Sequence, residues 1–94
     1  MMNNSLAVNY TDAQLRVLVE EYITQLKSGL SLKGACDYVL YWAIEDGCRG
    51  GVGVFEGNAL CQSDQERVKR SLESIALDGR IAETGEGLYE RVKD

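Results

Sequence analysis

The sequence has no histidine, no proline and only three cysteines among its 94 residues. Histidine is the commonest general base and metal ligand, so its absence removes most nucleophile triads and many metal sites. Cys36, Cys48 and Cys61 include no CxxC pair and lack zinc-site spacing. An odd cysteine count leaves at least one thiol unpaired, which favours free thiols over a disulfide framework. We therefore expect no enzyme, no metal and no cofactor.

Long apolar runs are also missing. No segment approaches the roughly 20 apolar residues of a membrane-spanning helix, and no basic-then-apolar leader opens the chain. A composition that is 45% apolar is enough for one modest core in a chain of this length. The sequence thus predicts a cytoplasmic protein without membrane contact. It would have a flexible N-terminus at residues 1–9 and a single domain over residues 10–94.

Basic residues are in the minority, because 10 Lys and Arg stand against 15 Asp and Glu, for a net charge of −5. Generic binding to nucleic-acid phosphates favours the opposite sign. A local basic patch can nevertheless outweigh the total charge. Overall charge alone therefore argues against DNA binding without excluding it.

The first predicted helix covers residues 12–28. Thr11 and Gln14 have the spacing of a capping box, and Gly29 marks the end. Its apolar residues recur at helical spacing: Leu15, Leu18, Val19, Tyr22, Ile23 and Leu26.

The second predicted helix covers residues 32–46, with Ser31 as its cap. Tyr38, Tyr41 and Trp42 widen its apolar surface, which is typical of a helix packed on two sides. These aromatics are core residues in one interpretation and a ligand-stacking or partner-binding patch in the other. Five glycines follow between residues 47 and 57, where we expect a short strand at 52–54 and a helical turn at 55–61.

The third predicted helix covers residues 63–78, with Gln62, Ser63 and Asp64 forming its turn and cap. Asp78 and Gly79 end it. Two strands at 80–84 and 88–92 then flank the turn 85–87, which forms a β-hairpin. The predicted fold class is mainly α with a small β-hairpin (α+β).

The segment from Arg67 to Ile81, with its Val–x–x–x–Leu–x–x–Ile spacing before Gly79, resembles the recognition helix and first wing strand of winged helix-turn-helix proteins. With Thr84, the turn 85–87 and Tyr89 it also resembles the C-terminal winged-helix domain of the replication protein A middle subunit, a family that binds protein partners. The resemblance implies a winged helix to which helix 12–28 is an extra N-terminal element. It covers about 30 residues strongly and is specific to the fold.

One hypothesis is a DNA-binding, transcription-regulatory module that reads duplex DNA with helix 63–78 and wing 80–92. Arg and Gln side chains pair with base edges, and Lys side chains hold phosphates. Residues 62–94 nevertheless contain six basic and eight acidic residues, a net −2. The candidate nucleic-acid contacts are Ser63, Gln65, Arg67, Lys69, Arg70, Ser74, Arg80 and Arg91.

The alternative hypothesis is an acidic protein–protein adaptor of winged-helix fold, associated with replication, phage or mobile-element systems. Its candidate partner contacts are Leu77, Tyr22 and Tyr41. Leu77 projects nearly opposite Leu72, so either a partner or the extra helix covers it, or it is a singly exposed leucine. A homodimer would form through helix 12–28.

Overall fold

A computed structural model describes residues 8, 10–26, 28–46 and 60–92. In chain order these form α1 (Asp12–Gln25), β1 (Leu30–Ser31), α2 (Leu32–Asp46), α3 (Gln62–Leu77), β2 (Ile81–Gly85) and β3 (Leu88–Arg91). The predicted mainly helical α+β class is confirmed. The predicted strand at 52–54 and nearly all of the helical turn at 55–61 lie outside the described residues.

The three strands form one antiparallel sheet in the order β1-β3-β2. Leu30 pairs with Tyr89 across β1 and β3, and Ile81 pairs with Arg91 across β2 and β3. Because paired residues project to the same side, these four side chains share one face of the sheet. Three helices and a hairpin sheet in this arrangement are compatible with a winged helix.

The start of α1 follows the predicted capping box. Thr11 Oγ1 accepts the Gln14 N–H at 3.1 Å, and Gln14 Oε1 accepts the Thr11 N–H at 2.8 Å. The helix ends earlier than predicted, at Gln25 instead of residue 28, with Leu26 already extended. Its buried residues, Leu15, Val19, Tyr22 and Ile23, belong to the core shared with α2 and α3. The predicted N-terminal helix therefore supplies part of the core.

The connection from α1 to α2 contains β1, which the sequence pattern does not predict. Ser31 caps α2 as expected, since its Oγ accepts the Gly34 N–H at 2.9 Å. Tyr22 of α1 is buried, and its hydroxyl accepts the Ser31 N–H at 3.1 Å. The aromatic core therefore fixes where β1 ends and α2 begins.

α3 buries Val68, Leu72 and Ile75 against the other helices. Cys61 occupies its cap position, but its side chain makes no capping hydrogen bond to the helix backbone. The predicted cap at 62–64 is wrong, because the helix already begins at Gln62 and places these residues in its first turn, where Asp64 is buried. Gly79, at φ 83°, follows the helix, and Gly87, at φ 73°, lies in the hairpin turn. Both residues hold a left-handed backbone that favours glycine.

Candidate interaction surface

The beginning of α3 is joined to the N-terminal segment by a group of charged and backbone contacts. Asp64 is fully buried, and its Oδ2 accepts the Val8 N–H at 2.7 Å. Arg67 donates to Asp64 Oδ1 at 3.1 Å, to the Tyr10 carbonyl oxygen at 2.6 Å and to Asp12 Oδ1 at 3.1 Å. Val8, within the stretch predicted to be flexible, is itself buried. Arg67, a predicted DNA contact, thus connects α3 to residues 10–12.

A second group of contacts joins α1 to the end of α3 and the start of the hairpin. Arg16 donates to Ser74 Oγ at 2.6 Å and pairs with Asp78 at 2.7 Å. Glu20 accepts from Arg16 at 2.9 Å and lies 3.4 Å from Arg80. The Arg16 guanidinium lowers the pKa of Glu20, with a smaller contribution from Arg80. The predicted contacts Ser74 and Arg80 therefore have partners inside the fold.

Arg91 lies at the end of β3 and caps the C-terminus of α1. Its guanidinium donates to the carbonyl oxygens of Leu26, at 2.8 and 3.0 Å, and of Thr24, at 2.9 Å, and also to that of Ile23. The last carbonyls of a helix lack partners within the helix, and a cation there also complements the helix dipole. A third predicted DNA-binding arginine is thus used within the fold.

The remaining predicted nucleic-acid residues lie toward the N-terminal half of α3. Gln65 donates to the Leu60 carbonyl oxygen at 2.8 Å, and Ser63 Oγ lies 3.3 Å from Cys61 Sγ. Lys69 and Arg70 are exposed, and neither has a hydrogen bond or ion pair to another described residue. Two predicted cationic contacts on α3 are therefore free of partners in the described part of the chain.

Exposed carboxylates lie on the same helix as Lys69 and Arg70 and on the hairpin. Glu66 and Glu73 are exposed on α3, one turn before and one turn after Arg70. The hairpin adds three more exposed acids: Glu83, Glu86 and Glu90. The surface formed by α3 and the hairpin is therefore acidic overall in its described part.

A groove of about 810 Å³ separates the hairpin from the first turns of α2 and the beginning of α3. We call it the wing groove. Among the described residues, its apolar lining is Leu32, Cys36, Leu60, Leu88 and Tyr89, and its charged lining is Lys33, Asp37, Lys69, Glu83 and Glu86. The Leu32 N–H donates to the Gly87 carbonyl oxygen at 2.8 Å, which holds the hairpin turn against α2.

Two titratable groups in the lining of the wing groove have raised pKa values. Burial, with smaller contributions from Asp37 and Asp64, raises the pKa of the Cys36 thiol to about 11, against an opposing effect of Lys33. Burial also raises the pKa of Tyr89, and the carboxylates of Glu83 and Glu73 raise it further. In both groups burial is the larger cause of the raised pKa, and nearby carboxylates add to it.

The predicted partner contacts occupy different environments. Leu77 is 89% exposed, so α1 does not cover it, and Tyr41 is 55% exposed. Tyr22 is 3% exposed and belongs to the core. Val17 is the one large apolar residue exposed on α1, where the homodimer was predicted.

Sequence reasoning missed Asp64 as a buried acceptor and missed the wing groove. Asp64 is separated by 56 residues from the N–H that it binds, so no local pattern reports the contact. Among the described residues, no helix is long and apolar enough to cross a membrane. In the same part of the chain, no three Cys, Asp or Glu side chains gather as metal ligands.

No protein-family model matches this chain. Searches of curated proteins and of solved structures likewise found no match.

Proposed function

We propose that this chain is a small winged-helix module that binds a protein partner instead of duplex DNA. The contact surface is the hairpin together with the adjacent exposed side of α3. One observation carries the proposal: Arg67, Arg80 and Arg91, three of the five cations predicted to contact DNA, have partners inside the fold.

The charge that remains on this surface favours the same conclusion. A protein that neutralises several phosphates needs a matching set of free Lys and Arg side chains. Here Lys69 and Arg70 are accompanied by Glu66 and Glu73 on the same helix. In the described part of the hairpin the exposed acids are Glu83, Glu86 and Glu90, and its one cation, Arg91, is bonded to α1. Such a surface repels a duplex and suits a partner with basic side chains.

The second candidate is DNA binding, which the exposed pair Lys69 and Arg70 favours. These side chains, with Ser63, lie on the helix that winged-helix proteins insert into the major groove. The predicted acidic adaptor and the predicted DNA-binding module therefore differ in one measurable property, which is affinity for duplex DNA.

A duplex titration separates the two candidates. Fluorescence anisotropy of a labelled random-sequence duplex is measured at about 50 and 200 mM salt, because phosphate binding weakens steeply over that range. We expect no saturable binding at either concentration. Salt-sensitive binding that is lost in Lys69→Ala/Arg70→Ala but kept in Lys33→Ala would instead support the DNA-binding candidate. Arg67→Ala is unsuitable here, since it also removes contacts that hold the fold.

A positive test uses photo-crosslinking amino acids placed singly at Glu86 or Leu88 on the hairpin. The control position is Ala13, which is exposed on α1. In cells that express the protein, we expect both hairpin positions to crosslink to the same protein band and Ala13 to give none. Equal crosslinking from Ala13, or none from the hairpin, would contradict the proposed surface.

A further inference from the structure

From the wing groove we infer what kind of segment the partner protein presents. The groove binds a basic amphipathic segment of the partner, whose apolar side chains contact the floor of the groove and whose Lys or Arg side chains face the hairpin acids. This inference rests on the proposed function and goes further, because it names the place of contact and the type of segment.

The floor of the wing groove supplies the apolar part of the recognition. Leu60, Tyr89 and Cys36 are buried beneath it, while Leu88 is about half exposed on its hairpin side. Ligand pockets of roughly 300–1,000 Å³ typically combine such an apolar lining with a few polar groups that orient the ligand. The groove volume of about 810 Å³ falls within that range and accommodates several side chains of a bound segment.

The charges around the groove favour a partner segment of positive charge. Lys33 lies 3.2 Å from Asp37, so these two charges largely neutralise each other. Lys69 then stands against Glu83 and Glu86, which leaves the described part of the lining net negative. Glu83 Oε2 also accepts the Gly87 N–H at 3.3 Å, whereas Glu86 has no such bond to a described residue and is exposed. Glu86 is therefore the acid most available to a basic side chain.

Two exposed acids of the hairpin provide a matched pair of variants. Glu86 lines the wing groove, whereas Glu90 does not. Glu86→Lys and Glu90→Lys change the net charge by the same amount, so non-specific electrostatic effects on a basic ligand are equal. Glu83 is left unchanged because it takes part in the turn.

The probe is a synthetic amphipathic peptide of leucine and lysine, with a leucine and glutamate peptide of the same pattern as its control. Both are titrated into isotope-labelled protein, and backbone amide shifts are followed by nuclear magnetic resonance. We expect the lysine peptide to shift amides of residues 31–37 and 83–89, and the glutamate peptide to shift neither group. Glu86→Lys should weaken lysine-peptide binding about fivefold, because a weak surface attraction becomes a similar repulsion. Glu90→Lys should leave the affinity within about twofold.

Several results would overturn the wing-groove inference. These are equal binding of the two peptides, equal effects of the two variants, no shifts at all, or shifts confined to α1 or the exposed face of α3. The proposed function would survive these results if the hairpin crosslinks and duplex DNA does not bind. Duplex binding through Lys69 and Arg70 would overturn both.

Discussion

Arg67 forms an ion pair at 3.1 Å with Asp64, whose side chain is 1% exposed. Removal of one partner from a buried pair leaves the other charge uncompensated, which costs about 3 kcal/mol or more. We therefore expect Arg67→Ala to lower the free energy of unfolding by about 3 kcal/mol, as measured by urea denaturation. Arg70→Ala is the control, because an exposed side chain without a partner should change stability by no more than about 0.5 kcal/mol. Equal losses in the two variants would contradict a structural role for Arg67.

The buried Asp64 carboxylate has two roles that are tested separately: its charge faces Arg67, and its Oδ2 accepts the Val8 N–H. Asp64→Asn keeps an oxygen that can accept the Val8 N–H but removes the charge facing Arg67. Deletion of residues 1–8 keeps that charge but removes the Val8 N–H together with the buried Val8 side chain. We expect each variant to lower the free energy of unfolding by at least about 1 kcal/mol: the deletion because a buried acceptor loses its partner and a valine leaves the core, and Asp64→Asn because Arg67 loses its buried counter-charge. A deletion without effect on the urea midpoint would show that the N-terminal contact contributes nothing to stability.

Arg91 and the end of α1 give a third prediction. The guanidinium satisfies three terminal carbonyl groups, so Arg91→Ala should lower stability by about 1–2 kcal/mol. Arg91→Lys should recover part of this loss, since an ammonium keeps the charge but not the geometry that reaches several oxygens at once. Urea denaturation and amide hydrogen exchange at residues 23–26 measure the two effects. Faster exchange elsewhere, with residues 23–26 unchanged, would contradict the capping role.

Gly34 is predicted to resist substitution, although alanine normally stabilises a helix by about 1 kcal/mol relative to glycine. A Cβ atom at this position would overlap the Tyr22 hydroxyl. Gly34→Ala should therefore destabilise the protein by about 1–2 kcal/mol through overpacking. Tyr22→Phe removes the hydroxyl, so the double variant should be about 1 kcal/mol more stable than the sum of the single effects. Additive effects in that cycle would rule out the predicted overlap.

Local sequence patterns predicted the parts of the fold that depend on neighbouring residues. Thr11 and Gln14 are three positions apart, as are Ser31 and Gly34, so each cap is encoded within one helical turn. Gly79 adopts a backbone angle that glycine favours, and it marks the end of α3 where expected. Helix positions and the hairpin were therefore accessible from sequence.

The parts that were missed depend on residues far apart in the chain. β1 contains only Leu30 and Ser31, and its strand character comes from pairing with β3. In sequence, Asp64 has the ordinary position of an acid in a first helical turn, whereas its hydrogen bond to the Val8 N–H spans 56 residues. Arg91 lies 65 residues from its Leu26 partner. Nothing local distinguishes such an arginine from one that is free to bind a phosphate.

Cys36 gives a prediction for the pH dependence of stability. Its pKa is raised from 9.0 to about 11 in the folded protein, chiefly by burial. The folded state therefore keeps the thiol proton at pH values where the unfolded chain has lost it, so this contribution to stability is complete below pH 9.0 and declines up to about pH 11. We expect the free energy of unfolding to fall over this interval, and to fall less in Cys36→Ala. The pKa of Tyr89 is also raised, so its titration lowers stability at alkaline pH as well. Both proteins contain Tyr89, so this effect cancels when they are compared. If the free energy of unfolding falls equally with pH in the two proteins, the Cys36 thiol is open to water and burial does not raise its pKa.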